Sequence, residues 1–386
     1  MKEYASRMSR LGTETAFEVL AKAKALEAQG KEILHFEIGE PDFDTPQHIK
    51  EAAWKALQAG QTHYCPSPGI DGLRQAIAKE TSESRGISVK PSQVVVTPGA
   101  KPIMFFTLLT CVEEGDEVIY PNPGFPIYES MINFAGGKPV PAPLLEEKGF
   151  SFDMERFEKS VTDKTKLIIL NSPQNPTGGI IPYEDLKTIA EIAVRHQIYV
   201  LADEIYRGMQ YEGEFTSIAS FPSMQDLTII LDGFSKRYAM TGWRLGYGVM
   251  HEHLAQHFTK LMVNSNSCTP PFIQFAGIEA LTGDQEPSVA MARAFRRRRD
   301  LIVQGLNEVA GFTCTLPAGA FYAFPNIKAH GKKSAEMARD LLEEGGIASL
   351  SGTAFGQYGE GYLRFSYANS EENIKKLIVR LKEMFN

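Results

Sequence analysis

A hydroxyl, an amine and a guanidinium lie close together in one short segment of the 386-residue chain. Ser235, Lys236 and Arg244 follow an apolar run, 227–231, that is typical of a strand and ends at a turn signal, Asp232-Gly233. Cationic groups in a buried loop need an anionic or carbonyl-bearing partner, so the segment predicts a ligand site. The alternative is a basic surface loop that joins two strands.

This segment resembles the lysine segment of class I pyridoxal-phosphate aminotransferases, the aspartate-aminotransferase-like group of fold type I. In that group Ser-Lys is followed a few residues later by Gly-Trp-Arg-(Leu/Ile)-Gly, and here residues 242–246 read Gly-Trp-Arg-Leu-Gly. The resemblance covers nearly the whole chain, from about residue 16 to residue 384. It implies that Lys236 bonds covalently to the aldehyde of pyridoxal 5'-phosphate and that Ser235 and Arg244 hold its phosphate.

Two further polar motifs follow apolar runs that are typical of buried strands. Asn175 begins an Asn-Pro-Thr-Gly turn shortly after the run 166–170, and Asp203 directly follows the run 198–202. Ligands of parallel sheets bind beyond the carboxyl ends of the strands, so both side chains are expected to face one crevice. An isolated Asp after a strand is usually a cap or turn residue, but the order and spacing of the motifs favour a cofactor site.

The resemblance assigns a role to each of these residues. It implies that Asp203 holds the protonated ring nitrogen of the cofactor, while Asn175 and Tyr206 donate hydrogen bonds to its phenolate oxygen. Phe125 occupies the place of the aromatic residue stacked on the pyridine ring, where Trp or Tyr is commoner. By the same resemblance, the freed amine of Lys236 moves a proton as base and then as acid. Lys236, Asp203 and Tyr206 form the predicted catalytic set.

A strand-to-helix turn supplies another side of the predicted phosphate site. The β-branched run 94–96 leads to Gly99 and Ala100, whose small size lets an anion approach the backbone at a helix N-terminus. Other strand-to-helix turns share this pattern, so it predicts a phosphate site only in combination with Ser235 and Arg244. Lys101 also belongs to the predicted cofactor-binding set. Tyr64 begins a Tyr-x-Pro-x-x-Gly pattern that resembles the segment whose tyrosine reaches the neighbouring subunit's phosphate across a dimer interface. The alternative for Tyr64 is an ordinary packing residue.

Arg364 lies between apolar neighbours in the strand-like run 362–367. An arginine is rarely buried unpaired, so it meets either an acidic side chain or an anionic ligand. The resemblance favours the ligand and implies a bidentate contact with the substrate α-carboxylate. Lys101 matches a lysine that contacts the distal carboxylate in some bacterial aspartate-type enzymes, with a surface position as the alternative. The full predicted substrate-binding set is Gly39, Lys101, Phe125, Asn175 and Arg364.

These residues together predict pyridoxal-phosphate-dependent transamination between an L-amino acid and a 2-oxo acid, with 2-oxoglutarate as acceptor and an aspartate-type donor favoured. Relatives that act on aromatic, alanine-like or other neutral donors keep the same cofactor residues, so those donors stay open. A β-lyase that cleaves C–S bonds on the same scaffold is a second alternative. A regulatory protein that keeps the cofactor pocket without turnover is a third. The resemblance also implies a homodimer with shared active sites.

The pattern of strands alternating with helices predicts an α/β fold with a mostly parallel sheet of the seven-stranded type, flanked by helices. The length exceeds one hydrophobic core, so two domains are expected. We predict an N-terminal arm with part of the small domain at 1–45, a large cofactor-binding domain at 46–290, and a smaller α+β domain completed by 291–386. Helices are predicted up to about residue 30, after a Thr45 N-cap, and over 290–309, where Arg296–Arg299 forms a solvated face.

Composition narrows the class of protein. The formal net charge of −7 disfavours a nucleic-acid partner, because such binding depends on basic contacts to phosphate. Four cysteines, far apart and without a Cys-x-x-Cys pair, predict no zinc or other metal site and suit a reducing compartment. The N-terminus has no secretory apolar region, and the longest apolar run, 103–112, is too short to span a bilayer. A cytoplasmic enzyme without a membrane partner is the expectation.

Overall fold

The structure, a computed structural model, describes residues 4–386. The strands within them are β1 (Leu34–His35), β2 (Val94–Thr97), β3 (Glu117–Asn122), β4 (Lys138–Leu145), β5 (Ser151–Phe152), β6 (Thr165–Asn171), β7 (Tyr199–Asp203), β8 (Thr228–Gly233), β9 (Gly246–Val249), β10 (Tyr322–Ala323), β11 (Ile347–Ala348), β12 (Leu350–Ser351) and β13 (Leu363–Ser366). The α-helices are α1 (Thr15–Glu27), α2 (Gln47–Gln58), α3 (Asp71–Arg85), α4 (Lys101–Cys111), α5 (Ile127–Ala135), α6 (Met154–Ser160), α7 (Tyr183–His196), α8 (Glu252–Ser265), α9 (Pro271–Thr282), α10 (Glu286–Asn307), α11 (Ser334–Glu343) and α12 (Glu371–Phe385).

The large sheet confirms the predicted α/β fold. In the described part of the chain its order is β2-β9-β8-β7-β6-β3-β4-β5. The neighbours from β8 to β4 run parallel, whereas β9 is antiparallel to both β2 and β8. The prediction of a seven-stranded type missed an eighth strand, because the two-residue β5 pairs antiparallel with the outer edge of β4. A strand that short leaves no periodicity to read in the sequence.

The central strands β6, β7 and β8 are mostly apolar and buried, with Lys166 near the start of β6 as an exposed exception, as expected of parallel strands covered on both faces. Their register aligns the ends that matter for function: Asn171 of β6 lies opposite Asp203 of β7, and Asp203 lies opposite Leu231 of β8. The polar residues that follow these strands therefore emerge at one edge of the sheet. Sequence runs of β-branched and apolar residues predict these strands to within a few residues at each end.

Both ends of the chain contribute to a second group of small sheets. β1 pairs in parallel with β11, and β13 lies between β10 and β12 in an antiparallel sheet. A core that includes Phe36, Phe295 and Phe365 packs around these strands and α10. The pairing agrees with a smaller unit built from both chain ends, while the domain boundaries at residues 45 and 290 stay predictions.

The first two helices begin later than the sequence suggests. The helix α1 starts at Thr15, whereas the prediction extended to the chain start. Residues 1–3 of the predicted helix lie outside the described residues. Thr45 is not the N-cap of α2, because Pro46 holds that position. The Thr45 hydroxyl instead donates to the Ala239 carbonyl at 2.6 Å and accepts from the Trp243 indole at 2.9 Å. Thr45 therefore fastens the entry of α2 to the lysine segment.

The arginine run on α10 is not a solvated face throughout, which corrects the prediction. Arg296 and Arg297 are exposed, but Arg299 is buried and Arg298 is half-buried. The Arg298 guanidinium pairs with Asp42 at 2.6 Å and lies 4.8 Å from the centre of the Phe43 ring. A charge run read along the sequence does not show which residues turn toward acidic partners from a distant segment. Separately, among residues 4–386 there is no helix that combines the length and apolarity needed to cross a membrane.

A buried ionic cluster fastens the end of α3 beneath the edge where the polar residues emerge. The Arg85 guanidinium is fully buried and contacts Glu204 at 2.9 Å, Asp232 at 2.7 Å and Glu80 at 3.1 Å. Glu204 directly follows Asp203, and Asp232 lies in β8 just before the lysine segment. The cluster therefore fixes the two strand ends that present Asp203 and Lys236.

We expect Arg85→Ala to lower the free energy of unfolding by about 3–5 kcal/mol, because it leaves buried carboxylates without their cation. The shift of the urea midpoint, multiplied by a common denaturant slope, measures this change. Lys79→Ala is the matched control: Lys79 lies on the same helix, is exposed, and reaches Glu83 only at 4.0 Å. Equal midpoints for the two variants would contradict a supporting role for the cluster.

Candidate active site

A cavity of about 370 Å³ opens at the carboxyl edge of the central strands. This volume lies in the range of small-molecule sites. Most of the predicted site residues line it, namely Gly39, Ala100, Lys101, Phe125, Asn175, Asp203, Tyr206, Ser235, Lys236, Arg244 and Arg364. Gly99 and Tyr64 are not among the lining residues. Segments predicted from widely separated motifs are thus brought together at one place.

Lys236 lies in the loop between β8 and β9. Its amine donates a hydrogen bond to the Gly39 carbonyl at 2.6 Å and lies 5.9 Å and 5.7 Å from the ring centres of Tyr206 and Phe321. Loss of hydration in this setting lowers the pKa of Lys236 to about 8. A sizeable fraction of the amine is therefore neutral near physiological pH, as a nucleophile or a base requires.

Asp203 ends β7 and is buried. The Tyr128 hydroxyl donates to its carboxylate at 2.6 Å, and the Ile205 N–H donates at 3.3 Å. Burial raises the pKa of Asp203 to about 6 against these two hydrogen bonds. Within residues 4–386 no lysine, arginine or histidine forms an ion pair with it. Such a carboxylate is suited to receive a cationic group from a ligand.

Arg364 lies in β13 and is buried without an acidic side chain against it in the described part of the chain. Its guanidinium donates to the Asn175 side-chain oxygen at 3.1 Å and to the Glu37 carbonyl, and its Nε has no partner. The rings of Tyr322 and Phe355 lie 4.5 Å and 5.0 Å from the guanidinium carbon. Of the two sequence interpretations, an anionic ligand therefore fits better than an internal ion pair.

Tyr206 reaches a tyrosine that the sequence interpretation did not select. The hydroxyls of Tyr206 and Tyr322 lie 2.7 Å apart, and both residues line the cavity. A side chain at Gly39 would meet the Tyr322 hydroxyl at 2.2 Å, so glycine is required for this approach. Tyr128, which supports Asp203, was missed as well. Neither tyrosine belongs to a motif, and only tertiary packing brings it to the site.

The proposed phosphate side combines backbone and side chains. α4 begins at Lys101, and its N-cap Ala100 provides no side-chain cap. Pro102 has no N–H and the Ile103 N–H donates to the Ala100 carbonyl, so the N–H groups of Ala100 and Lys101 are the ones available to an anion. Gly99 has a φ of +86°, and a side chain there would meet the Arg244 guanidinium at 2.2 Å. Ser235 is buried beside Lys236. This arrangement forms a cradle that a Cβ at position 99 would fill.

The outer part of the cavity is formed by α4, Phe125 and the segment that leads into α1. The Lys101 amine contacts the Glu14 carboxylate and lies 5.4 Å from the centre of the Phe125 ring. Residues 14–17 line the cavity, although no sequence signal pointed to them. Tyr64 is 89% exposed and does not line the cavity of its own chain. Its predicted role toward a neighbouring subunit stays a prediction.

Comparison with known proteins places the chain in a family. A model of the family "Aminotransferase class I and II" matches residues 31–381. The chain therefore belongs to the class I and II aminotransferases, and it is an enzyme that transfers amino groups.

Individual relatives extend this similarity over nearly the full length. The chain is 41% identical to a probable aspartate/prephenate aminotransferase of Aquifex aeolicus, over 99% of this chain and 98% of that protein. It is also 41% identical to aromatic-amino-acid aminotransferase 2 of Thermococcus litoralis, over 92% and 93% of the two chains. The solved structure of Thermus thermophilus aspartate aminotransferase with maleate superposes with a TM-score of 0.95 at 38% identity, covering 100% of both chains.

The raised pKa of Asp203 predicts that the ligand-free protein becomes less stable as pH rises. Folding raises this pKa from about 4 to about 6, so the protonated form is favoured, and the stability it contributes is lost as pH rises through 6. At pH 8 we expect the free energy of unfolding of Asp203→Asn, measured by urea denaturation, to exceed that of wild type by about 1–3 kcal/mol. The difference should shrink toward pH 4.

Asp163→Asn, at an exposed aspartate, is the control and should follow wild type at each pH. A wild-type protein that is more stable than Asp203→Asn at pH 8 would show that the carboxylate is not an uncompensated charge.

Proposed function

We propose that this aminotransferase uses pyridoxal 5'-phosphate to move an amino group between an L-amino acid and 2-oxoglutarate, with an aspartate-type donor favoured. One observation carries the proposal: Lys236, Asp203 and Arg364 line a single cavity, and each is a charged group that lacks an ion-pair partner among the described residues. An amine, a carboxylate and a guanidinium match the aldehyde, the ring nitrogen and the substrate carboxylate, respectively.

The residues present fit this cofactor. The cradle at Gly99, the N–H groups of Ala100 and Lys101, Ser235 and Arg244 together suit a phosphate. Lys236 would hold the aldehyde carbon, and Asp203 the ring nitrogen. When bound, the pyridoxal ring withdraws electrons from the carbon that bears the amino group.

Asp203 would hold the proton on the ring nitrogen of the bound cofactor. Its carboxylate is buried without another cation, so its interaction with a pyridinium N–H is a charge-assisted bond in a place of low hydration. The Tyr128 hydroxyl fixes the orientation of the carboxylate. Asn175 and Tyr206 donate to the phenolate oxygen in this proposal, and the contacts of Asn175 with Arg364 and of Tyr206 with Tyr322 restrict the positions of both donors.

Lys236 transfers the proton at the substrate Cα. A Lys236 amine that is not bonded to the cofactor would have the lowered pKa needed to accept a proton near neutral pH and to return it. Such proton transfer typically contributes about 10²–10⁴-fold to the rate. The Gly39 carbonyl, which now accepts from the amine, is one group that can orient it after release.

Arg364 binds the substrate α-carboxylate. Its Nε has no partner and its guanidinium is flanked by two aromatic rings, so the fork is held in place for a planar anion. Lys101 is the candidate for the distal carboxylate of an aspartate-type donor. The relatives named for aspartate support that donor class, and the relative named for aromatic amino acids supports neutral donors as the alternative.

A homodimer with shared sites and a cytoplasmic location complete the proposal. Large apolar side chains are exposed on the isolated chain, among them Phe17, Trp54 and Tyr64. A dimer interface would cover such residues. The four cysteines, all within the described residues, are free thiols, which suits a reducing compartment.

Reaction of the purified holoenzyme with a panel of amino donors and 2-oxoglutarate tests the proposed function. We expect glutamate to form from aspartate-type donors, and borohydride reduction followed by peptide mapping to label Lys236. Lys236→Ala should lower kcat by at least about 10²–10⁴-fold through loss of the proton-transfer group. Lys166→Ala, at an exposed lysine outside the cavity, is the control.

Label on another lysine would contradict the assignment of Lys236. Release of pyruvate and ammonia without an amino acceptor would instead identify a β-lyase.

The predicted sharing of sites can be tested by mixing subunits. If Tyr64 serves the partner's site, a Tyr64→Ala subunit paired with a Lys236→Ala subunit contains one native site and one with both defects. The mixed dimer should therefore recover about half of the wild-type activity, although both parent homodimers are impaired. If the mixed dimer is no more active than the parents, Tyr64 acts within its own chain or not at all.

A further inference from the structure

The cation offered to the substrate side chain already has a partner. Lys101 opens α4, and its amine contacts the carboxylate of Glu14, which immediately precedes α1. Both residues line the cavity. A distal carboxylate of a substrate would therefore meet an ion pair at this position, not a free lysine.

The remaining charges of the cavity leave Lys101 as the one cation for a distal carboxylate. Among the described lining residues, the other cations are Lys236, Arg244 and Arg364, each with a role in the proposed function. The neighbours of the Lys101 amine are the Glu14 carboxylate and the Phe125 ring, whose centre lies 5.4 Å away. Because Glu14 offsets the charge of Lys101, the pair offers a distal carboxylate no net positive charge.

Glu14 occupies the N-cap position of α1, yet its side chain makes no capping hydrogen bond. Its carboxylate is therefore available to pair with Lys101. The Glu14 side chain is 20% exposed and that of Lys101 is 51% exposed, so water partly screens the pair. Because of this screening, a substrate carboxylate can displace Glu14 from Lys101, but Glu14 still competes with it for the lysine.

We propose that Glu14 determines the choice between dicarboxylic and uncharged substrates by competing for Lys101. This inference rests on the proposed function. A distal carboxylate must displace the Glu14 carboxylate to reach the lysine, so dicarboxylic substrates bind less tightly than to a free amine. An uncharged side chain leaves the pair intact and packs against Phe17 and Phe125. The enzyme therefore accepts both classes, and Glu14 sets their ratio.

The test replaces Glu14 with Gln, which has the same shape without the charge. We expect KM for aspartate and for 2-oxoglutarate to fall about three- to tenfold with kcat little changed, because Lys101 is then free to bind the distal carboxylate. KM for phenylalanine should stay the same or rise, because Lys101 would lie unpaired beside an uncharged ring. Calorimetric binding of succinate, which cannot react, should tighten by a similar factor.

Two further variants isolate the cause. Glu18→Gln removes an exposed carboxylate one turn along the same helix, outside the cavity lining, and should leave the ratio of kcat/KM for aspartate and phenylalanine unchanged. Lys101→Gln should lower kcat/KM for aspartate, and in that background Glu14→Gln should have no further effect on KM for aspartate. This non-additivity identifies the pair as the cause.

The outcomes separate the two proposals. An unchanged or lower aspartate-to-phenylalanine ratio in Glu14→Gln, or a gain that persists in the Lys101→Gln background, would overturn the role of Glu14 while transamination itself stands. Wild-type enzyme that transaminates no donor would overturn the proposed function and this inference with it.

Discussion

The site depends on burying charge without supplying its partner. Asp203 and Arg364 are both buried, and the protein gives Asp203 neutral hydrogen-bond donors and Arg364 neutral acceptors in place of counter-ions. Such groups destabilise the folded chain until a ligand of complementary charge arrives. Selective binding follows from this arrangement, because a ligand that lacks either charge leaves one group uncompensated.

The rest of the fold supplies the rigidity that makes this arrangement tolerable. Parallel strands bring their carboxyl ends to one edge, and the ladder between β6, β7 and β8 fixes the spacing of the residues that follow. Beneath that edge, Arg85 compensates the carboxylates of Glu204 and Asp232. The ion pairs of Arg85 therefore stabilise the strand ends that carry the unpaired Asp203 and lead to Lys236.

The sequence predicted the parts of the site that lie next to strand ends in local motifs. Asn175, Asp203 and Lys236 each follow an apolar run closely, and the resemblance of their motifs to those of the aminotransferase family singled them out. Tyr128, Tyr322 and Glu14 could not, because each reaches the cavity through tertiary packing that no local pattern encodes. Thr45 illustrates the same limit: its position before a helix suggested a cap, but long-range contacts with Ala239 and Trp243 used its hydroxyl instead.

The short stretch at residues 37–40 has a consequence for how the molecule responds to ligands. Its backbone carbonyls at Glu37 and Gly39 accept hydrogen bonds from Arg364 and Lys236, and it continues directly from β1, which pairs with β11 near the other end of the chain. A molecule that engages either cation competes with these carbonyls for it. Occupancy of the cavity is therefore coupled to the hydrogen bonding of residues 37–40, the stretch that follows β1.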